Sequence, residues 1–259
     1  MEFKRQQQPF LVQVWDVFLI ELTNWRWTWQ YIITVGTITP LLSVFAFSIF
    51  ARDSGPEALE FLWSGNVLVA LMFGLQSTMT SHFVYLRLEG MLNYFATLPI
   101  KKSALLLAII AAFFLLALPS VLATIFVGAW ILGLTISPSP LLILVIPLCA
   151  IPMAGVGALI GSRARNYNDA GATNLIVTFV MLAIGPVLVP PDIIPNFMLF
   201  LGRFSPATYA ASALRAALNG VVTPTFWLDL GMLALISAII IGFVSWTCLL
   251  YTSPSPRDA

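Results

Sequence analysis

Charge is the scarcest property of this sequence. Asp, Glu, Lys and Arg make up 9% of its 259 residues. Soluble domains carry about 25%, so too little charge is present to coat a globule of this size, and a soluble fold is excluded. Histidine is almost missing: His82 stands alone, and a zinc site of the H-E-x-x-H kind cannot be built. The two cysteines, Cys149 and Cys248, lie in apolar runs without metal-ligand spacing. They read as small packing or lipid-facing residues. No glycine is followed by lysine, which removes the G-x-x-x-x-G-K-S/T phosphate loop. A G-x-S-x-G elbow is also absent. Asp169, Asp192 and Asp229 are isolated, whereas an intramembrane prenyl- or phosphatidyl-transferring enzyme needs clustered aspartates to hold Mg²⁺. Ionisable residues avoid the centres of the apolar runs, which disfavours proton- or ion-driven transport. The chain is expected to hold no cofactor and no metal, and to draw energy from outside itself. A net charge of +1 gives no basis for nucleic-acid binding.

What is abundant is apolar surface, 59% of residues, with a mean hydropathy of +0.95. A spanning helix needs about 20 apolar residues, and six runs qualify: 32–50, 61–85, 103–132, 141–161, 171–189 and 226–250. The expected fold is all-α and integral to the membrane, one domain over residues 1–250. Residues 9–30 precede the first run. Gln13, Asp16, Glu21 and Asn24 share one side of a helical wheel there, against Phe10, Leu11, Val14, Trp15, Phe18, Leu19 and Leu22. An amphipathic interfacial helix fits this pattern; the other reading is a first spanning helix containing two acids. Trp25, Trp27, Trp29 and Tyr31 follow at the depth of an aromatic belt. No cleavable signal peptide is expected. Residues 190–224 carry five prolines and two stretches too short to span, 197–204 and 208–219. They read as a re-entrant or interfacial helical hairpin.

Three local patterns add detail. Pro119 interrupts the third run. Gln76, Ser77, Thr78, Thr80, Ser81 and His82 crowd the second half of the second run. Such residues at depth face protein or a water-filled cavity, so Gln76, Thr78 and Thr80 are either interhelical glue or the lining of a substrate path. Ala150, Ala154 and Ala158, with Gly157 and Gly161, mark a close packing face on the fourth run. With the N-terminus inside, eight bases (Lys4, Arg5, Arg26, Arg87, Lys101, Lys102, Arg163 and Arg165) are cytoplasmic and three (Arg52, Arg203 and Arg215) are outside. The positive-inside rule then puts both termini in the cytoplasm and the hairpin outside. Residues 251–259 belong to a tail that resembles translated adapter sequence, and the natural C-terminus is expected to be missing.

The most information-rich stretch is 87–102. Leu88, Met91, Leu92 and Phe95 follow i, i+3, i+4, i+7 spacing, and Pro99 stops the helix at or before Leu98. Arg87, Lys101 and Lys102 hold its ends at a membrane surface. Such a helix either lies among headgroups or docks in a groove on a partner. The run from Glu89 to Lys102 resembles the E-x-G-T-L-E-x-L-x-x-x-P-I/V-x-R signature of ABC type-2 permeases, with Met91 where Thr is common and Asn93 where an acid is common. The run from Phe204 to Arg215 is similar to the N-P-x-x-Y-x-x-x-A-x-R segment of the same family, with Ser205 for Asn. Pro190, Pro191 and Pro195 suit its proline lead-in. The resemblance covers about residues 8 to 250.

That resemblance implies an exporter's transmembrane subunit. The cargo would be hydrophobic or amphipathic (a drug, lipid or glycan), the site the plasma (inner) membrane. Two cytoplasmic ABC ATPase subunits, which hold the ATP and Mg²⁺, would bind beneath a dimer of permeases, identical or closely related. Leu88, Glu89, Gly90, Leu92, Phe95, Thr97 and Pro99 would contact the ATPase. Gly90 would permit close approach, or be merely a tolerated helix glycine. Pro191, Pro195, Pro206, Tyr209 and Arg215 would shape the extracellular hairpin; Arg215 would anchor it or simply snorkel. A non-transporting membrane scaffold or assembly protein is the alternative.

Overall fold

A computed structural model describes residues 8–23, 29–30, 34–51, 55–220 and 222–250. Trp25, Trp27, Tyr31, Arg26, Arg52, the two N-terminal bases and the 251–259 tail lie outside the described residues. Every regular element among those described is helical. In order they are α1 (Phe10–Thr23), α2 (a π turn Thr34–Ile38 leading into Thr39–Ala51), α3 (Pro56–Leu71, a π turn Met72–Gln76, then Ser77–Leu88), α4 (Met91–Thr97), α5 (Lys102–Leu132), α6 (Leu142–Arg163), α7 (Tyr167–Ile184), α8 (Asn196–Gly202), α9 (Pro206–Leu218) and α10 (Pro224–Leu250). Four of them are long and apolar enough to cross a membrane: α3, α5, α6 and α10.

The central helix is α3. It packs against α2, α5, α6, α7 and α9. Two thirds of its most apolar window is buried, against about a fifth for α10. Trp63, Leu68, Leu71, Met72, Leu75 and Met79 are wholly enclosed along it. The tightest seam is with α6, where the small residues foreseen on the fourth run are buried against α3. A Cβ on Gly157 would collide with the carbonyl of Gln76, and one on Gly161 with the carbonyl of Thr80. Helices in lipid gain nothing from apolar contact as such, because hydrocarbon surrounds them anyway. Close backbone approach is what holds this pair.

Several expected boundaries move. The second apolar run, expected from 61, is helical from Pro56, because Pro56 and Glu57 form a first helical turn suited to Pro and to an acid. Pro119 does not interrupt its helix: α5 runs through it over 31 residues. A proline costs one intrahelical bond, and neighbouring helices tolerate that loss in a bundle. The fifth apolar run is helical earlier than expected, from Tyr167. There Asn166 Oδ1 accepts from the Asp169 amide at 2.8 Å, and Asp169 Oδ2 accepts from the Arg165 amide at 2.9 Å. This reciprocal cap starts α7, and its helix ends at Ile184.

The bundle has two distinct ends. At one, called the base, Arg87 at the end of α3 donates to the Ala164 carbonyl after α6, and α1 lies against α5. At the other, the short helices α8 and α9 follow one another through a corner. The Ser139 amide of the α5–α6 connection donates to the Ala217 carbonyl of α9 at 2.9 Å.

Candidate functional site

At the base, α3 stops at Leu88 and the chain turns through Glu89 and Gly90 before α4 begins. Gly90 has φ +69°, the left-handed region that a side chain disfavours. A Cβ there would meet nothing within 4 Å. The demand on Gly90 is therefore conformational: it lies in the turn between helices, not inside one. The i, i+3, i+4, i+7 stripe is split by this turn. Met91, Leu92 and Phe95 are half-buried and pack on the protein's own core. Leu88, Glu89, Thr97 and Pro99 are exposed, and so is Tyr94, at 58%. Thr97 closes the short helix by donating to the Tyr94 carbonyl at 2.7 Å, and Leu98 is already extended ahead of Pro99. The seven residues thus divide. Leu92 and Phe95 hold α4 to the bundle, and Leu88, Glu89, Thr97 and Pro99, with Tyr94, form its outward face.

Deeper in the bundle, Gln76, Thr78 and Thr80 are all buried. Gln76 Nε2 donates to Asn174 Oδ1 at 3.1 Å and to Thr178 Oγ1 at 3.0 Å, both on α7. Thr80 Oγ1 donates to Asn174 Oδ1 at 3.2 Å. Thr78 bonds back to the Gly74 carbonyl at 2.6 Å. Gln76 Oε1 has no hydrogen-bond partner among the described residues. Gln76 and Thr80 therefore join a polar seam between α3 and α7, while Thr78 satisfies its own helix. Asn174 and Thr178 escaped sequence reasoning. The signal was present: two polar residues four apart on an apolar run share a helix face.

At the far end the five residues expected in the hairpin do not converge. Pro206 opens α9 at its first turn, where a missing N–H costs nothing. Tyr209 donates its hydroxyl to the Arg203 carbonyl at 2.8 Å, and Thr208 donates to the Gly202 carbonyl at 2.7 Å; together they close the α8–α9 corner. Arg215 reaches inward. Its Nε donates to Ser64 Oγ at 3.1 Å, an Nη donates to the carbonyls of Pro186 and Val187, and the guanidinium lies 3.4 Å from the Phe61 ring centroid. Burial pushes its pKa down to about 10, still cationic at neutral pH. Pro191 and Pro195 are exposed on the lead-in and make no such contact. A separate apolar groove of about 430 Å³ lies between α5 and α6, bordered by Phe114, Leu118, Phe126, Leu142, Ile146 and Pro147.

No group of three or more potential metal-ligating side chains occurs among the described residues. The fold and this distribution define a multi-pass helical membrane protein. Residues 12–219 match the family model described as ABC-2 type transporter. The chain is also 26% identical over 225 residues to a daunorubicin resistance ABC transporter permease protein, DrrB1, from Streptomyces coeruleorubidus, covering 85% of this chain and 78% of that one. The protein belongs to the ABC-2 type transporter family.

Proposed function

We propose that this chain is the transmembrane subunit of an exporter in the plasma (inner) membrane, driven by two copies of a separate cytoplasmic ABC ATPase, with a second permease copy beside it. The observation that carries the reading is α4. It projects an outward face from the end of the most buried helix, so a push there acts directly on the bundle core. A chain with no phosphate loop takes its energy through such a contact. On this reading α2 and α7 complete six crossings. Each has 18 residues, about 27 Å of helix, close to the roughly 30 Å of hydrocarbon. α1 lies at the cytoplasmic interface and the α8–α9 hairpin at the outer one, with both termini inside.

The cargo is hydrophobic or amphipathic. The relative's name makes daunorubicin the first compound to try. The α3–α7 seam, with Gln76, Thr80, Asn174 and Thr178, becomes path lining when those helices separate. Co-expression of the tagged chain with an ABC ATPase from the same genome tests the proposal. The ATPase co-purifies with the parent chain, which hydrolyses no ATP alone. Leu88→Asp and Tyr94→Asp release it while the permease stays monodisperse. Phe95→Asp releases it too, but by undocking α4. Retention of the ATPase by both exposed-face variants defeats the assignment of α4.

A further inference from the structure

The face that α1 turns toward the bundle is polar, the reverse of an ordinary amphipathic helix on a soluble core. Its buried residues are Gln13, Val17 and Glu21, at i, i+4, i+8. Its exposed residues include Leu11, Trp15, Leu19 and Ile20. Glu21 is 3% exposed, and its Oε2 faces Nε2 of His82 on α3 at 3.3 Å. The contact is one of proximity and not of hydrogen-bond geometry, and neither atom has a hydrogen-bond partner among the described residues. The rings of Phe113 on α5 and of Phe83 and Tyr85 on α3 surround the imidazole. Two turns earlier, Gln13 Oε1 accepts from the Lys101 amide at 2.9 Å, in the link between α4 and α5.

Apolar contact cannot by itself fasten a helix to a bundle bathed in hydrocarbon, because the lipid offers the same contact. A buried carboxyl group, by contrast, is tolerable only beside a polar partner. The imidazole is that partner, and the only histidine in the sequence supplies it. We propose that Glu21 and His82 form a polar clamp that fixes α1 to the end of the central helix. With Gln13 as its second hold, the clamped α1 braces the link at the foot of α4. The clamp goes beyond the exporter reading and does not depend on it.

The test uses the full chain in membranes, with Cys149→Ala and Cys248→Ala as background, and needs neither cargo nor ATPase. Val17→Cys reports from the middle of the buried stripe, where Val17 is 1% exposed. Its modification by a maleimide is compared with labelling after denaturation. In the parent it is protected. Glu21→Ala and His82→Ala each raise its labelling rate at least about tenfold, less than the full loss on breaking a buried pair. Exchange of the two residues, Glu21→His with His82→Glu, returns it to within about twofold of the parent, since the same pair is rebuilt. A second reporter, Ala170→Cys in the small buried cluster at the base, stays protected throughout. Labelling of Val17→Cys at the parent rate in the single variants overturns the clamp. So does failure of the exchange to restore protection, or exposure of the Ala170 reporter alongside it.

Discussion

The guanidinium of Arg215 gathers Ser64, two carbonyls beside Val187 and the Phe61 ring around one fork. Lysine keeps the charge but loses the planar fork that serves several acceptors at once. Arg215→Lys is expected to destabilise the folded chain by about 2 kcal/mol, the scale of hydrogen bonds made by a charged group, read as a lower midpoint in thermal unfolding in detergent. A side chain that only snorkelled would lose almost nothing. Tyr209 and Thr208 act locally by comparison. Each satisfies one carbonyl of the α8–α9 corner.

Among the elements, α4 is one of the two shortest helices and depends on its entry turn. Gly90→Ala places a side chain at φ +69°. The expected cost is about 1 kcal/mol, from left-handed backbone alone, since no atom obstructs the new methyl. Gly171→Ala, at an unobstructed helical site in α7, is expected to be neutral or slightly stabilising. The pair separates a conformational requirement from a general preference against glycine, and thermal unfolding of both variants measures it. The α3–α6 contact obeys a different constraint. There Gly157 and Gly161 are required by steric approach, in ordinary helical backbone.

For the whole molecule the outstanding quantity is sidedness. The basic residues predict the base in the cytoplasm and the hairpin outside. A fluorescent protein fused ahead of residue 1 is therefore expected to fluoresce in cells. Alkaline phosphatase inserted after Asn219 is expected to be active, and after Arg165 inactive. The reversed pattern would turn α4 away from any cytoplasmic ATPase and remove the proposed drive with it.

The sequence by itself determined the medium and the class. Scarce charge, long apolar runs and two segments resembling ABC type-2 permeases needed no coordinates, because hydropathy and motif spacing are properties of the chain in order. It also located the small-residue face of α6, since a four-residue repeat is legible as a helix face. Three things only the tertiary structure decided. Periodicity reports which residues share a face but not what that face meets, so Gln13 and Glu21 read as the polar stripe of an interfacial helix when they in fact turn into the bundle. The stripe at 88–95 read as one helix because a glycine's φ cannot be seen in sequence, and the left-handed turn divides it into residues that grip the core and residues that face outward. The partners of Gln76 and Thr80 lie more than 90 positions away on α7, and contacts at that separation are set by packing, which no local pattern encodes.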